Sequence, residues 1–238
     1  MNKFLVPILC VLAAVGLVVS TYLVFYGSPL QYTIDAESGR LVGTSLFFNQ
    51  KIFYFHVAHA FVLFAAVGVA GVTSIFYLKN RNPRMDDIAA GTTDVAVAFG
   101  AAVLATGSIW AKAAWDVWWQ WEPRLTMSLL LWLILVGYAL VRKFAGPTAD
   151  RVAAGMAIFG MIGVPFIYTM VGADSHPGSG KNGVVATLDP AMRPAMWITV
   201  ATFMLWFALL VVVRVQGTRA ERELRELRER ALDLGVLE

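Results

Sequence analysis

The sequence predicts an all-α integral membrane protein: a bundle of six transmembrane helices, both termini cytoplasmic, with a cytoplasmic C-terminal helix. Three observations carry that prediction. Hydrophobic residues make up 58% of the chain and charged residues 15%, with a mean hydropathy of +0.67, outside the balance of a soluble domain. Six apolar runs, at 4–26, 53–78, 91–111, 125–141, 152–172 and 195–213, approach or exceed the roughly 20 residues needed to cross about 30 Å of hydrocarbon. The cations between the runs are asymmetric. Lys3, Lys79, Arg81, Arg84, Arg142, Lys143, Arg151, Arg214, Arg219, Arg222, Arg225, Arg228 and Arg230 fall on one side, against Arg40, Lys51, Lys112, Arg124, Lys181 and Arg193 on the other. Lysine and arginine in short loops stay cytoplasmic, which places the first set inside.

Taken in order, the first run follows Lys3 and is too long for a cleaved signal, with no convincing cleavage site, so it is predicted to be retained. Cys10, the only cysteine, lies within it and excludes an internal disulfide. The second run opens in "FYFHVAHAF", which carries His56 and His59 near its outer end. Asp94, near the start of the third run, is almost the only carboxylate inside the membrane, which weakens any proton-relay reading. The fourth run follows the outer loop "WDVWWQWEPRLT", residues 115–126. The fifth leads to a last outer loop containing His176 and ending "LDPAMRPAMW", whose two prolines suit a turn and a helix start. After the sixth, Leu224, Leu227, Ala231 and Leu234 recur at helical spacing, with Glu221–Arg225 and Glu226–Arg230 as favourable i,i+4 pairs. A short cytoplasmic helix is expected there. The domain reading is a six-helix unit at 1–214, with its tryptophan-rich outer loop at 112–126, and a helical tail at 215–238.

Trp115, Trp118, Trp119 and Trp121 are half of the chain's eight tryptophans, with Trp110 and Trp132 on either side. An aromatic belt at the headgroups accounts for one or two of them. Crowding in a single loop points instead to a platform for a large planar ligand. Lys112, Arg124 and Arg193 lie on the same side and can meet an anionic group. For Arg124 an ion pair with Glu122 or a lipid phosphate is the competing reading, and for Arg193 a helix cap or headgroup is as good a reading. All three histidines are outside, and two axial nitrogens, one from each outer loop, suffice for a haem iron. A zinc site built from His56, His59, His176 and an acid competes on ligand count, but leaves the tryptophans unexplained.

"FYFHVAHA", "GSIWAKAAWDVWWQWEPRLT" and "SHPGSG…LDPAMRP" together resemble the CcmC family of haem-handling membrane proteins of bacterial cytochrome c maturation, over nearly the whole chain. The tryptophan motif alone resembles a wider group. The resemblance implies axial ligation by His56 and His176 and a platform of Trp115, Trp118, Trp119 and Trp121 with the motif's arginine at Arg124. It implies a haem of the b type, presented at the periplasmic face of the inner membrane to the chaperone CcmE. Its implied partners are CcmD and the ABC-type subunits CcmA and CcmB, which supply the ATP hydrolysis; this chain has no Walker A pattern. Glu122 stands where the family usually has aspartate, Asp116 where it has a small residue, and His59 has no counterpart and is read as packing. A cytochrome c haem-attachment synthetase and a scaffold subunit that binds no haem are the alternatives.

Overall fold

The computed structural model describes residues 4–29, 32–34, 37–43, 50–169 and 188–235. Six long helices account for most of them: α1 (Leu5–Tyr22), α2 (Gln50–Asn80), α3 (Pro83–Trp115), α4 (Pro123–Phe144), α5 (Ala149–Thr169) and α6 (Arg193–Asp233). All six are long and apolar enough to cross a membrane, so the predicted class of a six-span all-α membrane protein stands. Consecutive helices alternate in direction, so that the ends of α1 and α3 meet the starts of α2 and α6 at one end, here the tryptophan end, while the starts of α3 and α5 meet the ends of α4, α6 and α2 at the other. Between α1 and α2 the chain adds a small antiparallel hairpin, β1 (Tyr32–Ile34) and β2 (Leu41–Gly43), with Thr33 opposite Val42.

Proline and cap signals set several boundaries. Asn82 caps α3, its Oδ1 accepting the N–H of Arg84 at 3.0 Å, and Pro83 takes the first helical position, where a missing N–H is harmless. Pro123 does the same for α4 and Pro194 for α6. Asp116 ends α3 in the left-handed region, φ 59°, and its N–H returns to Lys112 O.

α2 is the central element, packed on α3, α5 and α6, with α1 against α6 and α4 against α5 and α3. Small residues let the backbones close up. A Cβ on Gly100 of α3 would stand 2.6 Å from Cδ1 of Trp132, and one on Gly71 of α2 equally close to Met161 of α5. Trp132 therefore lies in the α3–α4 contact, where its Nε1 donates to Val97 O at 3.0 Å, and does not extend the loop cluster.

At the opposite, tail end the first turns of α3 carry a row of aspartates. Asp86 accepts two bonds from Arg142 of α4, at 2.6 and 2.8 Å. Asp87 accepts two from Arg222 of α6, both 3.0 Å. Asp94 is bonded by Arg214 of α6 at 2.6 Å. The tail is thus no separate short helix: α6, 41 residues long in all, continues unbroken into it as far as Asp233. Its own ion pairs are Arg219–Glu223 and Arg222–Glu226, in place of the pairs expected from sequence, because Glu226 is taken by Arg222 and Glu221 reaches back to Arg214 at 2.8 Å.

Candidate functional site

The tryptophan end is built around one buried cluster that joins four helices. Val24 in the turn just beyond α1, Phe53 and Tyr54 of α2, Trp110 of α3, Leu188 and Met192 in the turn leading into α6, and Met196 in its first turn all belong to it. Phe53 meets Trp110 edge-on, centroids 5.7 Å apart. Tyr54 and Ser28 share a hydrogen bond of 2.5 Å, and Lys51 donates to Val24 O at 2.5 Å, tying the end of α1 to α2. The "LDPAMRP" turn therefore closes over the residues flanking His56.

His56 projects from α2 toward α3. Its Nδ1 lies 3.1 Å from Oγ1 of Thr106, and its ring stands 5.6 Å from that of Trp110, one turn further along α3. Gly107 makes this approach possible, since a Cβ there would meet His56 Cε1 at 3.1 Å. His59 shares a helix face by spacing but not a site. Its Nδ1 is held at 2.6 Å by Phe55 O, and its ring packs 4.4 Å from Phe203 and 5.5 Å from Phe99. That agrees with packing as its role.

The loop beyond α3 presents its indoles unequally. Trp118 and Trp121 are exposed and Trp119 is half-buried. Trp119 and Trp121 stand edge-to-face at 76°, centroids 5.8 Å apart, so the loop offers separate ring faces in place of one continuous plane. The Nε1 of Trp119 is buried with no hydrogen-bond partner among the described residues. Glu122, buried, precedes α4, and Arg124 lies half-buried in its first turn.

Lys112 and Arg193 each meet a partner within the chain. Lys112 pairs with Asp116 across one turn at 2.5 Å, but the side chains are 40% and 91% exposed. Such a pair is worth no more than about 1 kcal/mol and exchanges readily for another anion. Arg193 donates through Nε to Leu188 O at 2.9 Å, which fixes the turn and uses one of its five donors. His176 and the side chain of Trp115 lie outside the described residues. Among the described residues no group of three or more His, Cys, Asp or Glu could hold a metal ion. Thr106 and Gly107 are the members that sequence reading missed; the only signal was their position one turn before Trp110.

A family model described as CcmC, heme exporter protein C, matches residues 1–230. A heme exporter protein C of Bradyrhizobium diazoefficiens is 30% identical over 182 residues, covering 74% of this chain and 69% of the relative. The protein of the same name from Escherichia coli strain K12 is 27% identical over 179 residues, 71% of this chain and 70% of the relative. That of Paracoccus denitrificans is 29% identical over 185 residues, 74% and 76% of the two chains.

Proposed function

The chain belongs to the CcmC, heme exporter protein C, family, and from that premise we propose that it is a multi-pass subunit that binds haem at the periplasmic face of the inner membrane and hands it to the chaperone CcmE. One observation carries this reading: His56, set against Trp110 beneath the exposed tryptophan loop, with the Arg193 turn folded over the same cluster. An imidazole, exposed indole faces, a buried indole donor with no partner among the described residues, and two cations at one end of an apolar bundle suit a planar iron porphyrin with carboxylate edges.

In this function His56 is one axial ligand and His176 the other. Trp118, Trp119 and Trp121, with Trp115, supply ring faces and the Trp119 N–H. Lys112, Arg124 and Arg193 meet the propionates. The chain orients and presents its cargo and performs no separate reaction. A haem of the b type is the cargo, CcmD the small companion, and CcmA and CcmB the source of ATP hydrolysis. The lysine and arginine asymmetry supports both termini, and the 215–238 tail beyond the 1–214 unit, being cytoplasmic.

The test is the optical spectrum of the purified complex. A low-spin haem band in the wild type that is shifted or lost in both His56→Ala and His176→Ala supports the reading. Full haem retention in both variants overturns it, and an intact complex with no haem in any preparation returns the tryptophans to an interfacial anchor.

A further inference from the structure

The contact between His56 and Thr106 carries more than proximity. The hydroxyl of Thr106 has one proton, and its Oγ1 lies 2.6 Å from Ala102 O of its own helix, well placed to donate there. With that proton committed, Thr106 can only accept from His56, across 3.1 Å. His56 then holds its proton on Nδ1 and keeps the lone pair on Nε2. We propose that Thr106 is the positioning residue of the haem site: it fixes the His56 tautomer and ring angle so that Nε2 is the ligating nitrogen, and it raises that nitrogen's basicity through the Nδ1–H bond.

The inference rests on haem ligation by His56. Three features support it independently of the iron. The threonine is presented from the neighbouring helix at a point where α2 and α3 are drawn together, so ring and acceptor move as one body. Gly107, next in sequence, supplies the clearance that lets the imidazole lie against α3, its Cβ position being 3.1 Å from His56 Cε1. Trp110, a turn on, flanks the ring at 5.6 Å and limits its rotation. The same logic applied to His59 gives a different result. Its Nδ1 is bonded within its own helix to Phe55 O, and phenylalanines flank the ring, so it is held as a packed side chain.

A ligating histidine's outer partner typically changes metal affinity ten- to hundredfold when it is removed, because a less basic and freely rotating imidazole is a poorer donor. Thr106→Val keeps the shape and deletes the acceptor, whereas Thr106→Ser keeps the acceptor. Two readouts separate positioning from packing. Side-chain 15N shifts of histidine-labelled, haem-free protein, with His56 assigned by its loss in His56→Ala, report which ring nitrogen carries the proton. Haem titration and the reduction potential of bound haem report ligand basicity.

The expected result is an Nδ1–H tautomer at His56 in the wild type and in Thr106→Ser. Thr106→Val should lose that tautomer, bind haem ten- to hundredfold more weakly, and show a potential shifted positive as the ferric form loses donor strength. If the valine variant does not yield monodisperse protein, Thr106→Ala carries the same expectation. A haem-binding wild type whose tautomer and potential are unmoved in Thr106→Val overturns the inference alone. A wild type that takes up no haem overturns the functional reading, and the inference with it.

Discussion

Replacing Arg222 by alanine should release the tail of α6 from the bundle, and the structure sets the scale. Arg222 grips Asp87 with two bonds of 3.0 Å, and the side chains keep 21% and 4% of their exposure. Breaking a buried pair from one side costs about 3–5 kcal/mol, most of it from the charge left behind. Asp87 is left in that position, since the neighbouring Arg142 is already committed to Asp86 in a two-bond pair. The low end applies, because Arg222 is partly solvated and a loosened tail lets water reach the carboxylate. About 3 kcal/mol corresponds to roughly a hundredfold rise in the undocked population.

Thr218 reports that population. It is 7% exposed and faces the bundle just beyond the point where Val215 meets Gly91 of α3. With Cys10 replaced by alanine, Thr218→Cys carries the only thiol, and its labelling by a water-soluble maleimide follows tail opening. Arg222→Ala should speed labelling by about two orders of magnitude. Asp87→Asn should speed it less, because it leaves no buried charge. Adding Asp87→Asn to Arg222→Ala should recover much of the loss. Labelling within threefold of the parent in Arg222→Ala would refute the argument that this pair docks the tail.

Other expectations follow from single contacts. Gly100→Ala places a Cβ 2.6 Å from Trp132 Cδ1 and should lower stability by about 1–3 kcal/mol, read as a lower melting temperature in detergent; an unchanged melt would contradict the α3–α4 packing described. Trp132→Phe removes the 3.0 Å bond to Val97 O and should cost about 1 kcal/mol, without altering the haem spectrum. Gly107→Ala pushes the His56 ring by a few tenths of an ångström from a Cε1 contact of 3.1 Å, and should weaken haem binding with little change in melting temperature. His59→Phe should leave the haem band in place, and loss of that band would return His59 to the site.

The six spans were legible because membrane crossing is written in composition, and several boundaries because Pro83, Pro123 and Pro194 each sit in a first helical turn. The tail was misread in its extent. Nothing in "RVQGTRAERE" stops a helix, since one glycine costs only about 1 kcal/mol, and the partner that holds Arg222 lies 135 residues earlier in the chain. The tail's internal pairs failed because the acids were claimed from the other side, Glu226 by Arg222 and Glu221 by Arg214, a choice that i,i+4 spacing alone does not fix. At the site, spacing put His56 and His59 on one helix face, yet the acceptors decide their roles, Thr106 on another helix for the first and Phe55 O on the same helix for the second. Trp132 shows the same limit, since only the gap at Gly100 distinguishes a loop tryptophan from a helix contact.

These placements divide the tryptophan end into a firm part and an open part. His56 is set by two packed helices, a glycine clearance and a buried indole, so its position is as rigid as the bundle. Trp118 and Trp121 stand exposed on the α3–α4 connection, and among the described residues Lys112 is held by Asp116 alone, in an exposed pair that salt or a carboxylate can displace. For a cargo that must later leave, this division is useful. On the proposed function, an axial bond from His56 would fix where the iron sits, while the ring faces and cations that would complete the hold could be surrendered one at a time to an incoming partner. Strengthening the open part should therefore hinder transfer more than capture. Asp116→Ala removes the competing partner of Lys112, and should slow transfer of haem from this chain to the chaperone while raising haem retention. Slower capture with unchanged transfer in a stopped-flow comparison would show that Lys112 does not meet the cargo.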